Sequence, residues 1–263
     1  MTRMVRGRTA AADMSSWSPV EPAACLAGIR AFLLDVDGTL YRQTPVRLWM
    51  ACEMGVVSPL TYGVSQALRL GRAIAEFRKV REELRALGAP SSPLVELQYR
   101  ETARRAGVTA GEVEATVSEW MFSRPLKYVA RAPRSRVASF LIAARRAGLL
   151  IGALSDYPVA DKLAALGLSD YFSLRLCTTD REINALKPHP RGFLEACRVW
   201  GLSPLEVLYV GDRPDVDATG ARAAGMRCAI VGQSARSRAG RTRSVEYLAV
   251  GGFANLEALL ASA

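Results

Sequence analysis

The 263-residue chain has few of the residues that crosslink a small protein or bind a transition metal: five cysteines and one histidine. The cysteines are odd in number and none is spaced as C-x-x-C, which argues against a disulfide framework or a zinc site. We therefore expect a reducing compartment, the cytoplasm. No run reaches the roughly 20 apolar residues of a membrane-spanning helix. Hydrophobic residues at 50% and charged residues at 23% are typical of a globular protein.

Acidic residues are outnumbered, and the net charge is +10. Basic residues cluster at the N-terminus, at residues 234–244, and on a helical segment with Arg78, Lys79, Arg81 and Arg85. Such charge attracts nucleic acid, anionic surfaces or anionic substrates. Because no recognisable nucleic-acid-binding motif accompanies it, the clusters are interpreted as solvated surface, and no specific nucleic-acid partner is expected. The roles of the N-terminal tail and the 234–244 loop stay open.

Short apolar segments predict the strands of a sheet. They are Ile29–Val36, Leu149–Leu154, Ser173–Cys177, Val207–Val210, Arg227–Val231 and Tyr247–Val250. Helical patterns lie between the later segments, and several of these end at a glycine. Apolar strands that alternate with helices predict a parallel sheet covered on both faces. The expected fold class is α/β, with a Rossmann-like parallel-sheet core, helices on both faces and an inserted helical domain.

The inserted region, residues 42–133, contains no clear strand. One apolar helix face is marked by Ile74, Phe77, Val80, Leu84 and Leu87. Thr109 and Glu112 fit a capping box at the start of another helix. The expected organisation is a disordered basic tail at 1–22, the core at 23–41 and 134–263, and the helical insert at 42–133.

Polar groups follow four of the predicted strands, or lie close after them. Asp35 and Asp37 lie at the end of the first strand, Ser155 follows the second, and Lys187 lies beyond the third. An acid cluster follows the fourth strand, with Asp212, Asp215 and Asp217. Ligands of parallel sheets bind beyond the carboxyl ends of the strands. The sequence therefore predicts that these side chains meet at one edge of the sheet.

The residue types suit phosphoryl chemistry. Two carboxylates two residues apart in extended backbone lie on the same side of the chain, so one can attack or bind metal while the other handles a proton. A hydroxyl can donate to a phosphate oxygen, and a lysine can neutralise phosphoryl charge. Clustered acids suit a hard cation that prefers oxygen ligands. Together these groups are what aspartyl-phosphate chemistry requires.

The motifs resemble those of the haloacid dehalogenase superfamily, in its phosphatase branch of the phosphoglycolate phosphatase type. FLLDVDGTLY resembles the first motif, LSDYP the second, KPHPRGF the third and YVGDRPDVDATGARAAGM the fourth. The insert at 42–133 has the position of that family's helical cap. The resemblance implies a Mg²⁺-dependent phosphoric monoester hydrolase that acts on a small-molecule phosphate through an aspartyl-phosphate intermediate.

The resemblance also implies the catalytic and metal-binding roles. Asp35 would attack phosphorus and bind Mg²⁺. Asp37 would protonate the leaving oxygen, activate water, and bind Mg²⁺ through its backbone carbonyl. Lys187 would bridge Asp35 and the phosphate, and Asp212 would be the main acidic metal ligand of the fourth motif. The acid at Asp37 separates the chain from true dehalogenases, which lack one there.

Four further residues receive supporting roles from the resemblance. Ser155 would hold a phosphate oxygen. Asp217 would orient Lys187 or a metal-bound water, and Asp215 is a further candidate beside the metal. Asp156 stands where many relatives carry Asn; it is counted among the substrate-binding residues, although a negative charge beside a phosphate would be unfavourable unless it points away.

Two alternatives remain open on the sequence alone. A phosphomutase of the same family would use the same acids, and net phosphate release separates it from a phosphatase. A protein of a different class would bind nucleic acid or an anionic surface through its basic clusters. The phosphorylated substrate is not defined by the motifs, and the chain is expected to be a monomer or a homodimer.

Overall fold

The computed structural model describes residues 26–232 and 247–262. The predicted tail at 1–22 and the 234–244 loop lie outside the described residues. The strands are β1 (Ala31–Leu34), β2 (Leu150–Ser155), β3 (Leu174–Cys177), β4 (Val207–Gly211), β5 (Arg227–Val231) and β6 (Leu248–Val250). They form one parallel sheet in the order β3-β2-β1-β4-β5-β6. The predicted parallel α/β fold is confirmed, and each strand lies within two residues of its predicted bounds.

Helices lie before and between the later strands. The segment after β1 contains α1 (Gln43–Cys52), α2 (Ser58–Tyr62), α3 (Val64–Leu87), α4 (Leu94–Ala106), α5 (Ala110–Val117) and α6 (Leu126–Val129). The rest of the described chain contains α7 (Val137–Arg146), α8 (Ala160–Ala165), α9 (Arg191–Trp200), α10 (Thr219–Ala223) and α11 (Phe253–Ala261). Wider π-helical turns occur at Glu53–Val57, Ser118–Ser123 and Pro214–Ala218. None of the described helices is both long and apolar enough to cross a membrane.

Alternate side chains of β1 enter two separate cores, because successive residues of a strand point to opposite faces. Phe32 and Leu34 pack in the cluster that includes Phe140 of α7. Ala31 and Leu33 pack on the other face with the cluster that includes residues of α9 and α10. Helices therefore cover both faces of the sheet, as the continuous apolar strands predicted.

Within 42–133, the predicted capping box is present. Thr109 accepts a hydrogen bond from the Glu112 backbone N–H at 3.2 Å, and Glu112 accepts one from the Thr109 backbone N–H at 2.7 Å. The predicted apolar face of α3 is correct for four of its five residues. Leu87 is 71% exposed, because it is the last residue of α3 and lies at the edge of the apolar stripe.

The two ends of the insert meet. The Arg42 N–H donates to the Ala132 carbonyl at 2.8 Å, and the Arg134 N–H donates to the Leu40 carbonyl at 2.9 Å. Tyr41 and Pro133 form an antiparallel bridge between these bonds. The segment thus leaves and rejoins the sheet at one place, directly after the acids that follow β1.

The insert also packs onto the sheet-bearing part through buried side chains. Leu186, which precedes Lys187, packs with Val80, Leu84 and Leu94 of α3 and α4. The Asn184 side chain accepts from the Leu94 N–H at 2.7 Å. These contacts hold α3 over the loop that carries Lys187.

Candidate active site

The carboxyl ends of the central strands bring the predicted residues together. Because β1 lies between β2 and β4, the carboxyl ends of these strands place Asp35, Ser155 and Asp212 at one edge of the sheet. Gly38 is required at the turn after β1: its φ is +95°, and an added Cβ would lie 2.2 Å from Asp212 Oδ2. The close approach of the two loops therefore depends on a residue without a side chain.

Asp35 is buried and held by two donors. Lys187 Nζ donates to Asp35 Oδ1 at 2.7 Å, and Thr39 Oγ1 donates to Asp35 Oδ2 at 3.0 Å. Burial raises the pKa of Asp35 well above its ordinary value; Lys187 opposes this, and the charges of Asp217 and Asp212 add to it. The carboxylate is fixed in place and is destabilised by its acidic neighbours.

Lys187 is the centre of a buried charge network. Its Nζ donates to Asp217 Oδ1 at 2.8 Å and to the Tyr209 hydroxyl at 2.9 Å, besides Asp35. Burial alone would lower the pKa of Lys187, but Asp217 and Asp35 raise it well above its ordinary value. The lysine is therefore a permanent cation whose position is fixed by three partners.

Asp217 is occupied by protein donors. Its Oδ2 accepts from the backbone N–H groups of Asp212 and Arg213 at 3.1 and 3.0 Å, and its Oδ1 accepts from Lys187 and Tyr209. Gly211 permits this fold of the loop, since an added Cβ there would lie 2.4 Å from Asp217 Oδ2. Asp217 therefore links Lys187 to the loop that carries Asp212.

Carboxylate oxygens of Asp35, Asp212 and Asp217 lie within 4.8 Å of one another, a grouping that could hold a metal ion. Among the described residues, only the distant hydroxyl of Thr39, at 3.5 Å, donates to the Asp212 carboxylate. Burial, together with the charge of Asp217, raises the pKa of Asp212 to about 6. In the described part of the chain, Asp217 already accepts four hydrogen bonds, whereas Asp35 accepts two and Asp212 one, so Asp35 and Asp212 are the carboxylates with capacity for a cation.

Asp37 lies in a different environment from Asp35. Lys162 Nζ contacts its two carboxylate oxygens at 2.7 and 2.6 Å, Ser155 Oγ donates to Oδ2 at 3.0 Å, and the Tyr41 hydroxyl donates to Oδ1. Burial alone would raise the pKa of Asp37, but Lys162, Tyr41 and Ser155 outweigh it and hold the pKa below its ordinary value. The pKa values of two acids only two residues apart are therefore shifted in opposite directions.

Asp156 is buried and surrounded by donors. Its Oδ1 accepts from Thr178 Oγ1 at 2.9 Å and from the Lys187 N–H at 3.1 Å, and its Oδ2 accepts from Arg85 Nη1 at 2.9 Å. Burial alone would raise the pKa of Asp156, but Lys187, Arg81 and Arg85 hold it below its ordinary value. Both oxygens accept hydrogen bonds within the protein, and the substrate-binding role assigned to Asp156 from the sequence stays a prediction.

The interpretation of Arg81 and Arg85 as solvated surface is wrong. Arg81 is 3% exposed, donates to the Asp156 carbonyl and to Gln98, and lies 4.2 Å from the centre of the Tyr157 ring. Its Nε has no hydrogen-bond partner among the described residues. Arg85 pairs with Asp156 and donates to the Lys187 carbonyl. Both arginines of α3 therefore cross to the loops that carry Ser155 and Lys187.

Asp215 lies apart from the group of three carboxylates. It is exposed and pairs with Arg213 at 2.7 Å. The remaining predicted residues, Asp35, Asp37, Ser155, Lys187, Asp212 and Asp217, are brought together at the sheet edge.

Sequence reasoning missed three charged residues at this edge: Lys162, Arg81 and Arg85. A signal was present for the first two. Lys162 lies on the same helical stripe as Val159 and Leu163, and Arg81 lies four residues after Phe77 on the apolar face of α3. A charged residue on an apolar stripe is expected to have a buried partner.

Comparisons with known proteins bear on the family and the fold. The model of haloacid dehalogenase-like hydrolases matches residues 29–225. The phosphoserine phosphatase of Thermus thermophilus is 36% identical over 157 residues, which cover 58% of this chain and 60% of that protein. The phosphoglycolate phosphatase of Shigella boydii is 30% identical over 224 residues, which cover 78% of this chain and 81% of that protein. The 2-haloacid dehalogenase from Pseudomonas syringae has the same fold, with a TM-score of 0.63 at 22% identity over 89% of this chain and 99% of that one.

Proposed function

The chain belongs to the haloacid dehalogenase-like hydrolases and is a phosphoric monoester hydrolase, and we propose that it cleaves a small-molecule phosphate monoester through an aspartyl-phosphate on Asp35, with Mg²⁺ as its cofactor. One observation carries the proposal. The Asp35 carboxylate is fixed between Lys187 and Thr39 and lies beside the Asp212 carboxylate, which is an arrangement for a nucleophile, a phosphate-binding cation and a metal ligand.

The residues present fit a divalent cation. Four carboxylates, of Asp35, Asp37, Asp212 and Asp217, face two ammonium groups, of Lys187 and Lys162. Two negative charges are left over, and burial, together with the charge of Asp217, raises the pKa values of Asp35 and Asp212. Asp35, Asp212 and the Asp37 carbonyl would hold Mg²⁺, which prefers a few carboxylates and retained waters. When bound, Mg²⁺ would neutralise phosphate charge and polarise the phosphorus–oxygen bonds.

In the first half-reaction, a carboxylate oxygen of Asp35 attacks phosphorus and the bond to the leaving oxygen breaks. Asp37 gives its proton to that oxygen, so the alcohol product leaves neutral. Lys187 stays bound to Asp35 and offsets the charge that develops on the phosphoryl group. Ser155, which donates to Asp37 at 3.0 Å, is placed to donate to a phosphate oxygen instead.

In the second half-reaction, Asp37 accepts a proton from water, and the water oxygen attacks phosphorus. The bond between Asp35 and phosphorus breaks, which frees inorganic phosphate and restores both acids. Lys162 favours the half-reaction in which Asp37 acts as a base, because it stabilises the Asp37 carboxylate. The negative charge of a bound phosphate would raise the pKa of Asp37 and so favour the half-reaction in which Asp37 acts as an acid.

The proposed division of labour assigns chemistry to a core at residues 23–41 and 134–263 and substrate selection to a cap at 42–133. The paired ends of the insert, at Arg42 with Ala132 and Leu40 with Arg134, support these boundaries. Arg81 and Arg85 support the role of the cap, because α3 reaches the loops of Ser155 and Lys187 through them.

The test is phosphate release from a panel of phosphate monoesters that includes phosphoserine and phosphoglycolate. Wild type is assayed with Mg²⁺ and with EDTA, beside Asp35→Asn and the exposed control Asp170→Asn. The proposal predicts release that needs both Mg²⁺ and Asp35 and that survives Asp170→Asn. Conversion of a sugar phosphate to its isomer without net phosphate release would replace the phosphatase with a mutase.

A further inference from the structure

The first part of the insert has an apolar outer surface. Eight of the fifteen exposed large hydrophobic side chains of the described residues lie between Leu48 and Leu68. Every fourth residue from 48 to 68 is exposed. Five of these residues are large and apolar, namely Leu48, Val56, Leu60, Val64 and Leu68, and the sixth is Cys52. Leu60 is 84% exposed. Single exposed hydrophobics are ordinary, whereas a concentration of them marks a surface that is covered in function.

Polar residues of the same segment are turned inward. The backbone is helical from Gln43 to Tyr62 through α1, the π-helical turns and α2. Glu53 and Ser58 are buried on this helix, and Glu53 pairs with Lys127. The usual arrangement of a surface helix, apolar inside and polar outside, holds at Val46 but is reversed at Glu53 and Ser58, so packing within the chain does not explain the exposed apolar face beyond α1.

The exposed charges that this segment itself carries have one sign, although Glu112 of α5 lies near Arg69 and Glu119 pairs with Arg124 beside the Tyr62 hydroxyl. Between Asp37 and Glu76 the chain contains one acid, the buried Glu53, and four cations, Arg42, Arg47, Arg69 and Arg72. All four arginines are exposed, and in residues 26–232 and 247–262 none of them forms an ion pair with an acid. An apolar face with only cationic neighbours on its own segment is complementary to an anionic lipid surface.

We infer that the outer face of Gln43–Leu70 docks on the surface of a membrane that contains anionic lipids. Leucine, valine and tryptophan side chains would enter the boundary between headgroups and acyl chains, and the arginines would pair with lipid phosphates. A second copy of the chain is a poorer occupant, because a symmetric contact would bring the same arginines together and like charges disfavour association. The docking does not depend on the phosphatase activity.

The experiment is co-sedimentation of the full chain with vesicles of phosphatidylcholine, with or without phosphatidylglycerol. Leu60→Gln and the double variant Leu60→Gln/Leu68→Gln remove apolar surface without a change of charge. Leu205→Gln, at a 60% exposed leucine on the sheet-bearing part, is the matched control. We expect wild type and the control to bind only the anionic vesicles, and each substitution in the insert to weaken binding by about tenfold. Phosphate release in the absence of vesicles stays at the wild-type rate, which shows that the variants are folded.

Two outcomes would overturn the inference. Binding that is equal in wild type and the double variant, and that salt alone abolishes, would assign attachment to charge elsewhere in the chain. A wild-type chain that ignores anionic vesicles but forms a concentration-dependent dimer, lost in the double variant, would assign the face to a second copy.

Discussion

The sheet edge and the insert at 42–133 differ in how completely their polar groups are paired. At the edge, Asp35, Asp37 and Asp217 each meet at least two donors from other parts of the chain. In the insert, buried polar atoms lack a partner among the described residues at Glu53 Oε2, Ser58 Oγ, Arg81 Nε and Thr102 Oγ1. A densely paired network suits chemistry that needs fixed geometry, whereas buried polar atoms without a partner leave the insert less rigidly held.

The largest predicted effect is at the centre of the paired network. Lys187→Met removes the cation between Asp35 and Asp217, and we expect phosphate release to fall by about 10³-fold, the loss typical of a missing group that stabilises charge in a transition state. Lys79→Met, at an exposed lysine of α3, is the control and should retain the wild-type rate. Comparable rates for the two variants would remove Lys187 from the mechanism.

A smaller loss is expected at Lys162. Lys162→Met should lower phosphate release by about 10²-fold, since the proton transfer by Asp37 is no longer supported. Without the lysine the pKa of Asp37 rises, so the acid limb of the pH–rate profile should move to higher pH. Lys162→Arg keeps the positive charge, so its acid limb should lie close to that of wild type. An unchanged profile in Lys162→Met would show that Lys162 serves packing alone.

The junction of the two regions can be tested through stability. Asp156→Asn keeps an acceptor for the Lys187 N–H but loses the charge that pairs with Arg85, and we expect the free energy of unfolding at neutral pH to fall by about 2 kcal/mol. The folded pKa of Asp156 is lowered, so its contribution is present above the unfolded pKa of about 3.9 and is lost as pH falls through the folded value.

Denaturant unfolding of wild type and Asp156→Asn measures this difference across pH. It should be constant from neutral pH to about pH 5 and shrink below pH 4. If the difference in unfolding free energy stayed the same below pH 4, the asparagine would destabilise the protein through altered packing and not through the lost charge.

The smallest effect is expected at the end of α3. Leu87→Ser should change the free energy of unfolding by less than about 0.5 kcal/mol, because the side chain is already in water. Leu84→Ala, one turn earlier and buried against Leu186, should cost about 2 to 4 kcal/mol. Equal losses in thermal or chemical unfolding would mean that Leu87 is packed after all.

The sheet could be read from the sequence because its strands are apolar on both faces and its loops carry acids directly after them. The prediction that Asp35, Ser155 and Asp212 lie close together needed only the rule that the carboxyl ends of parallel strands meet at one edge of the sheet. The opposite pKa shifts of Asp35 and Asp37 could not be read in the same way. They depend on which cation, Lys187 or Lys162, reaches each acid from distant positions in the chain.

The insert was predicted less completely, for a physical reason. Helix periodicity identifies the apolar stripe but not which neighbour lies over each residue of it. Arg81 and Arg85 were assigned to solvent because arginines usually are, and the buried Asp156 that draws them inward lies some 70 residues away in the chain. The exposure of Leu60 in α2 and Leu68 in α3, on either side of Gly63 with its φ of +82°, is likewise not specified by the periodicity.

Trapping of the phosphorylated enzyme tests the central claim most directly. Wild type is mixed with excess of the best phosphate monoester, quenched in acid during turnover, reduced with borohydride and mapped by peptide mass spectrometry. The account predicts reduction of one aspartate, Asp35, to homoserine only when substrate is present, with no such product in Asp35→Asn. Modification of another residue, or phosphate release by Asp35→Asn at the wild-type rate, would contradict it.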